Sequence, residues 1–340
     1  MINHRQLILI ALLWWPAAVA FSQDEPKPAA PPTASQPAAV VQGSPDRQPV
    51  TLENTEVRLL RSKIVGQDLK LFVARPFRPP VADDGKFPVL YLLDAEMSFP
   101  LVQQIVLSLQ SGFEMPPVLI VGIGYPGGFR ENSVRRTRDY TPTPDPVFTK
   151  FARRWGGSDG TSGEAASFLR FIREELKPFV EASYPANPDD ATIFGASFGG
   201  LFATYALLEA PDTFQRYVIG SPSLWWDKRV IFELEKQYAA AHENLHARVF
   251  IGAGGHETDE HEREQLAKLP EAVRRPVLDF QKAIDGAAQM VEAIEPFVAT
   301  LAGRNYPGLD LTLHVFPGET HGSVQPMVAS RGLKTVFASP

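Results

Sequence analysis

The segments FPVLYLLD (residues 87–94) and PVLIVGIGY (residues 117–125) are apolar almost from end to end. A strand with no polar face needs helices over both of its faces, which is the condition of a buried parallel sheet. ATIFGAS, FQRYVIGSP, ARVFIGAGG and LDLTLHVFPG continue the series along the chain. Between them lie segments with helical spacing. GEAASFLRFIREELKPFVEAS places Phe168, Leu169, Ile172, Leu176, Phe179 and Val180 on one stripe, with Ser162 in the position of an N-cap. LFATYALLEA, KRVIFELEKQYAAAH and LDFQKAIDGAAQMVEAIEPFVATLAG are further expected helices. Ahead of the series, EVRLLRSKIV and DLKLFVARP alternate around Gly66, Gln67 and Asp68 like an antiparallel hairpin. The expected class is α/β, with a mostly parallel central sheet, an antiparallel N-terminal hairpin and helices on both faces.

Such a sheet binds its ligand at the carboxyl ends of its strands, so the chemistry is sought there. GASFGG (residues 195–200) follows one apolar run and opens a helix. Gly195, Ser197 and Gly199 fit the G-x-S-x-G nucleophile elbow, in which a strained turn lifts the serine Oγ out of the sheet. Small Ala196 and Gly200 let the following helix pack close, and its first N–H groups face the site.

A serine needs a base, and the base an orienting acid, in the chain order Ser, Asp or Glu, His. His321, in the loop PGETHGS after the last run, is the expected base; His314 lies within the strand pattern itself. Glu257 and Asp259 follow ARVFIGAGG, and Asp227 follows SPSLWW. Glu257 is the preferred acid, with Asp259, Asp227 or a dyad without any acid as the open alternatives. The oxyanion would be held by the N–H of Phe198 and a second from Ala95 or Glu96, after YLLD.

Two decoys resemble other chemistries. His256 and His261 in HETDEH stand five apart, which misses the i,i+4 face of a zinc helix, so no metal site is expected. Gly122, Gly124 and Gly127 have dinucleotide-fingerprint spacing, but such a site needs a helix to open at once, and here Pro126 interrupts and a polar segment, GGFRENSVRRTRDYTPTPDP, is expected to follow in its place.

Composition bounds the rest. The chain has 340 residues, a net charge of -6 and no cysteine. That charge argues against a generic nucleic-acid binder. The absent thiols exclude disulfides, zinc-thiolate sites and lipidation at an N-terminal cysteine. Residues 1–20 read as a secretory signal: His4 and Arg5, an apolar LILIALLWW, then small Ala18-Val19-Ala20. A membrane anchor is the alternative, but the run is short and broken by Pro16. Residues 21–50, rich in Pro, Ala and Ser, are expected to form a disordered tether, and residues 51–340 the folded domain. The protein would then be periplasmic or secreted, with no integral span after cleavage.

With these residues in place, the chain resembles the bacterial esterases that include the D-type esterases, the trilactone siderophore esterases and the mycolyltransferases. YLLDAEMSF, VGIGYP, RRTRDYTP, GASFGG, SPSLWWD and FPGETHGS match that family's blocks in order, from about residue 87 to residue 323. RRTRDYTP with SPSLWWD most resembles the branch that cleaves cyclic catecholate siderophores. The resemblance implies an α/β-hydrolase fold, no cofactor, a small-molecule ester substrate, and serine and histidine roles at Ser197 and His321. The family's acid is less uniform. Its usual glycine after the third strand's Asp is Ala95 here, which makes the Glu96 N–H the better match for the oxyanion.

Arg138, in the cluster of Arg135, Arg136 and Arg138, is a candidate partner for an anionic acyl or catecholate group, with Arg135 and Arg136 expected in a solvated loop. Trp225 and Trp226 are candidates for an aromatic wall, with core packing the alternative for one of them, and the charged, irregular segment 256–276 for a lid or a surface excursion. The expected function is an exported serine esterase acting through an acyl-enzyme. The alternatives are a feruloyl- or acetyl-type carbohydrate esterase, an acyltransferase, or a non-catalytic binding protein on the same fold.

Overall fold

The computed structural model describes residues 50–154, 162–283 and 290–338. The expected signal segment, and all but the last residue of the expected tether, lie outside the described residues. β1 (Thr55–Arg61) and β2 (Asp68–Ala74) form the antiparallel hairpin. β3 (Phe87–Leu92), β4 (Leu119–Gly124), β5 (Ala186–Ala196), β6 (Arg216–Gly220), β7 (Ala247–Gly254) and β8 (Leu309–Phe316) supply the parallel part. The eight strands make one sheet in the order β1-β2-β4-β3-β5-β6-β7-β8. β2 meets β4 antiparallel, and every pairing from β4 to β8 is parallel.

The helices follow from the same sequence. They are α1 (Ala95–Ser111), α2 (Phe129–Tyr140), α3 (Pro146–Arg154), α4 (Ala165–Phe171), α5 (Lys177–Ser183), α6 (Phe198–Glu209), α7 (Trp226–Ala241), α8 (Asp259–Ala267), α9 (Glu271–Ala283), α10 (Met290–Gly303) and α11 (Gln325–Phe337). A π-helical turn, Ile172–Leu176, joins α4 to α5. One face of the sheet packs Leu90, Leu92, Phe194, Val218 and Phe250 against α1 and α11. The other packs Tyr91, Val121, Ile193, Tyr217 and Ile251 against the remaining layer, with Phe168, Phe202 and Phe297 at its centre. Among the described residues no helix is long and apolar enough to cross a membrane.

From β3 the chain moves outward to β4 through α1, then returns to the far side of β3 to form β5. The direction of winding reverses between β3 and β5, and a crevice opens at such a switch point above the strand ends. The turns after β3 and β5 carry Asp94–Glu96 and Ser197.

Several elements differ from expectation. Ser162 does not cap the helix after it: its Oγ accepts the N–H of Asp145, and Gly163 turns at φ +95° before α4. Residues 256–276 are helical rather than irregular, forming α8 and the start of α9. The expected helix over 278–303 is divided between α9 and α10, with residues 284–289 outside the described set. The polar segment after Pro126 does form a helix. Ser133, Arg136, Thr137 and Tyr140 in α2 are buried at i, i+3, i+4 and i+7, so its inward stripe is helical in spacing but polar in chemistry.

Candidate active site

Ser197 stands between β5 and α6 with φ 58° and ψ -121°, a conformation that costs a side-chain-bearing residue about 1–3 kcal/mol. Its main chain is tied on both sides. The Ser197 N–H donates to the Gly220 carbonyl at 2.9 Å, and its own carbonyl accepts from Leu201 and Ser223 at 2.9 and 3.1 Å. A Cβ on Gly195 would fall 2.2 Å from the Gly199 carbonyl oxygen, and one on Gly200 would fall 2.9 Å from that of Gly220. Gly199 is less confined, with 3.4 Å to Asp94 Oδ2. The steric need for glycine therefore falls on Gly195 and Gly200.

The loops after β7 and β8 are laced together. Gly255 N–H donates to Phe316 at 2.7 Å and His256 N–H to Glu319 at 2.9 Å. This brings Glu257 under His321, with Oε2 2.6 Å from Nδ1. The other carboxylate oxygen accepts from Ser221 Oγ and from the Gly254 N–H, each at 2.6 Å. Burial opposes the charge on Glu257, but the His321 ring, the Ser221 hydroxyl and the Gly254 amide outweigh it and hold the carboxyl below its ordinary range. With Nδ1 engaged, Nε2 is the ring atom left for chemistry. Asp259 begins α8, with its N–H on Glu292, and Asp227 accepts from Thr143 Oγ1 at 2.7 Å.

Ser221 was not among the expected site residues. It is fully buried directly after β6, at φ 38°, and its N–H donates to Gly252 at 2.7 Å. The available signal was its place at a strand end beside the elbow, in the block SPSLWW.

On the opposite side of Ser197, Asp94 takes φ 52° ahead of α1. Ala95 and Glu96 form the first turn of α1, as Phe198 begins α6, so their amides belong to helix N-termini. Arg136 grips Asp94 with two bonds, Nε to Oδ1 at 2.7 Å and Nη2 to Oδ2 at 2.8 Å. Its guanidinium carbon lies 5.3 Å from the Phe198 ring centre and 5.5 Å from that of Tyr140. Arg136 is thus a buried strut rather than a solvated residue. The Glu96 carboxyl turns toward Tyr125 and Asn132, filling the space above Gly124, and burial raises its pKa.

Arg138 directs its guanidinium to Asp139, with Nε to Oδ1 at 2.6 Å. Trp226 is fully buried against Phe148 and Phe198, with Nε1 donating to the Thr143 carbonyl at 3.1 Å, and Trp225 packs beside it. The crevice at the switch point, about 190 Å³, is lined instead by Ser197 and His321 together with Leu93, Met97, Leu101 and Phe194. Arg135 donates to the Pro126 carbonyl. The rings of His256 and His261 stack 4.2 Å apart.

The family described as "Putative esterase" matches residues 62–304. The chain is 32% identical to the ferri-bacillibactin esterase BesA of Bacillus subtilis, over 84% of this chain and 90% of that protein. It is 30% identical to the siderophore enterobactin esterase of Emericella nidulans, over 63% of this chain and 70% of that one. Among solved structures, the BES protein from Bacillus cereus superimposes with a TM-score of 0.69 at 25% identity, covering 88% of this chain and 100% of that chain. These structural neighbours place the sheet described above in the α/β-hydrolase fold.

Proposed function

From the premise that this chain belongs to the family described as "Putative esterase" and is an ester-hydrolysing enzyme, we propose that it is a serine hydrolase working through an acyl-enzyme. The observation that carries the reading is that strained Ser197 and Nδ1-anchored His321 line one crevice. Ser197 Oγ adds to the ester carbonyl while His321 Nε2 takes its proton. The imidazolium that forms is stabilised by Glu257. The N–H groups of Phe198 and of the Ala95–Glu96 turn face the charge that develops on the carbonyl oxygen. His321 then gives its proton to the departing alkoxide. Water repeats the cycle on the acyl-enzyme, releasing the acid and restoring Ser197.

The relatives named above hydrolyse siderophores, so an iron-siderophore ester is the first substrate to test. A fluorophosphonate probe should label the protein and fail to label Ser197→Ala; equal labelling of both removes Ser197 as nucleophile. Hydrolysis of trilactone siderophores, feruloyl esters and p-nitrophenyl esters then ranks the substrates. Absence of trilactone cleavage in an enzyme active on other esters removes the siderophore assignment. Export is part of the proposal, supported by the N-terminal sequence. A mature protein beginning at Phe21 in the extracytoplasmic fraction fits it, and an intact N-terminus in the cytoplasm defeats it.

A further inference from the structure

The crevice beside Ser197 has a chemistry of its own. Its walls are mainly Leu93, Met97, Leu101, Val102, Phe194 and Pro326, with Gln325 donating to the His321 carbonyl at 3.2 Å, and no lysine or arginine lines it among the described residues. The ionisable groups that reach it are His321 and Asp94, and Arg136 already occupies the Asp94 carboxylate. Ser98, also in the wall, directs its hydroxyl to the carbonyls of Leu93 and Asp94, 2.9 Å from each.

A second observation comes from α1. Its core stripe, Ala95, Phe99, Val102 and Val106, is buried. Met97 and Leu101, one turn apart, are each 37% exposed at the crevice wall. The helix thus carries a second apolar edge along the crevice that Ser197 also lines.

Resting on the serine-hydrolase reading above, we propose that this crevice is the acyl pocket and that it takes an uncharged hydrocarbon arm. An apolar cavity of about 150 Å³ holds benzene, so about 190 Å³ suits an arm of roughly six to eight carbons. An ionised arm would lose its hydration there and find no cation to replace it. The assignment to the acyl side follows from the two half-reactions. The alcohol leaves once His321 has protonated it. The acyl group stays bonded to Ser197 Oγ until water arrives, so its arm must lie in space contiguous with Ser197, where Phe194 and Ala196 form the floor.

The test is kcat/KM across p-nitrophenyl esters from acetyl to dodecanoyl. Each buried methylene should raise it about fourfold, giving roughly a 250-fold rise over the four methylenes from acetyl to hexanoyl and a fall beyond octanoyl. Leu101→Glu should lower the hexanoyl-to-acetyl ratio at least about tenfold. A flat profile in an active enzyme overturns the proposal. So does a rise that follows the alcohol chain of alkyl acetates instead of the acyl chain. Equilibrium dialysis of the same esters against Ser197→Ala reads the pocket without turnover. Tighter binding of hexanoyl than acetyl supports it even if the wild-type protein proves inert, whereas equal binding defeats it. Inertness toward every ester and toward fluorophosphonate would defeat only the catalytic reading.

Discussion

Two carboxylates flank Ser197, and they are held in opposite ways. Glu257, on the β7 side, has an imidazole on one oxygen and a hydroxyl and an amide on the other. Asp94, on the β3 side, has both oxygens gripped by the guanidinium of Arg136. Both are nearly buried, with side chains 3% and 11% exposed. The difference lies in what each partner can do. An imidazole can gain and lose a proton, so a carboxylate surrounded by neutral donors can stabilise a charge that comes and goes. A guanidinium keeps its charge, so its pair is fixed and suits a brace for the turn carrying Ala95 and Glu96. On one side of the serine the carboxylate pairs with a group that can exchange a proton, and on the other with a group that cannot.

Glu257→Gln attacks that contrast most directly. It keeps the shape of the side chain but removes the charge facing His321. We expect kcat to fall about 10³- to 10⁴-fold. A loss below about tenfold would mean that the serine and histidine act as a dyad. The substitution also has a signature in stability. The folded pKa of Glu257 lies below its ordinary value of 4.5. Its contribution is therefore fully present above that value and is lost as pH falls through the lowered one. The variant should lack that part of the acid limb in urea titrations.

On the brace side, Arg136→Met should act chiefly on stability. It leaves Asp94 buried without a countercharge, at a cost of about 3–5 kcal/mol. The double variant Asp94→Asn/Arg136→Met should recover part of the loss, because no charge remains to desolvate. A single-variant loss under about 1 kcal/mol in urea denaturation would make Asp94 an ordinary solvated turn.

Ser221→Ala sharpens the comparison. It removes one of two donors from Glu257 Oε1 and leaves the histidine contact intact. A hydrogen bond to a charged group contributes about 1.5–3 kcal/mol, so a loss in kcat/KM of roughly tenfold is expected. The acid limb of the stability profile in urea titrations should move upward, because the carboxylate takes a proton more readily. A rate loss with an unmoved limb would make Ser221 a packing residue only.

Legibility in the sequence divided along the same line. The strands were readable because β-branched and aromatic runs bounded by turns report burial on both faces, as in β3 and β4. The G-x-S-x-G turn was readable because its first glycine, Gly195, answers a steric contact within the local chain, whereas the need for Gly200 arises from Gly220 and Pro222 on the next strand's end. The pairing of Glu257 with His321 depends on loops 64 residues apart, so sequence order could narrow the acid to a few residues and no further. The brace was hidden for another reason. α2 buries polar groups at helical spacing, and a search for apolar periodicity reads Arg136 as solvated. α1 shows the reverse case: its stripe is apolar and regular, but Pro100 interrupts the signal inside the helix. Arg138, Trp225 and Trp226 carry side chains suited to ligands, yet Arg138 bonds Asp139, Trp226 bonds the Thr143 carbonyl, and Trp225 packs on Trp226.

The smallest expected effect concerns a third carboxylate, five residues past Glu257. Glu262 lies half-buried on α8, and burial, with Asp259 and Glu292 nearby, pushes its pKa up to about 7 against the help of Gln281 and His321. The unfolded chain releases this proton near 4.5, whereas the folded chain keeps it until about 7. The folded state therefore binds more protons between those values, and stability falls as pH rises through that window. Partial exposure lets water screen the charge, so about 1 kcal/mol is a fair size, or roughly 2 °C in melting temperature for a domain of this length. Glu262→Gln should remove that decline and match or exceed the wild type at pH 8, with little difference between the two at pH 4.5. Parallel stability curves for the two proteins would place the Glu262 carboxyl in water. In that event α8 would rest beside the loop carrying Glu257 without being held by it, and proximity to Glu257 would say nothing about coupling to it.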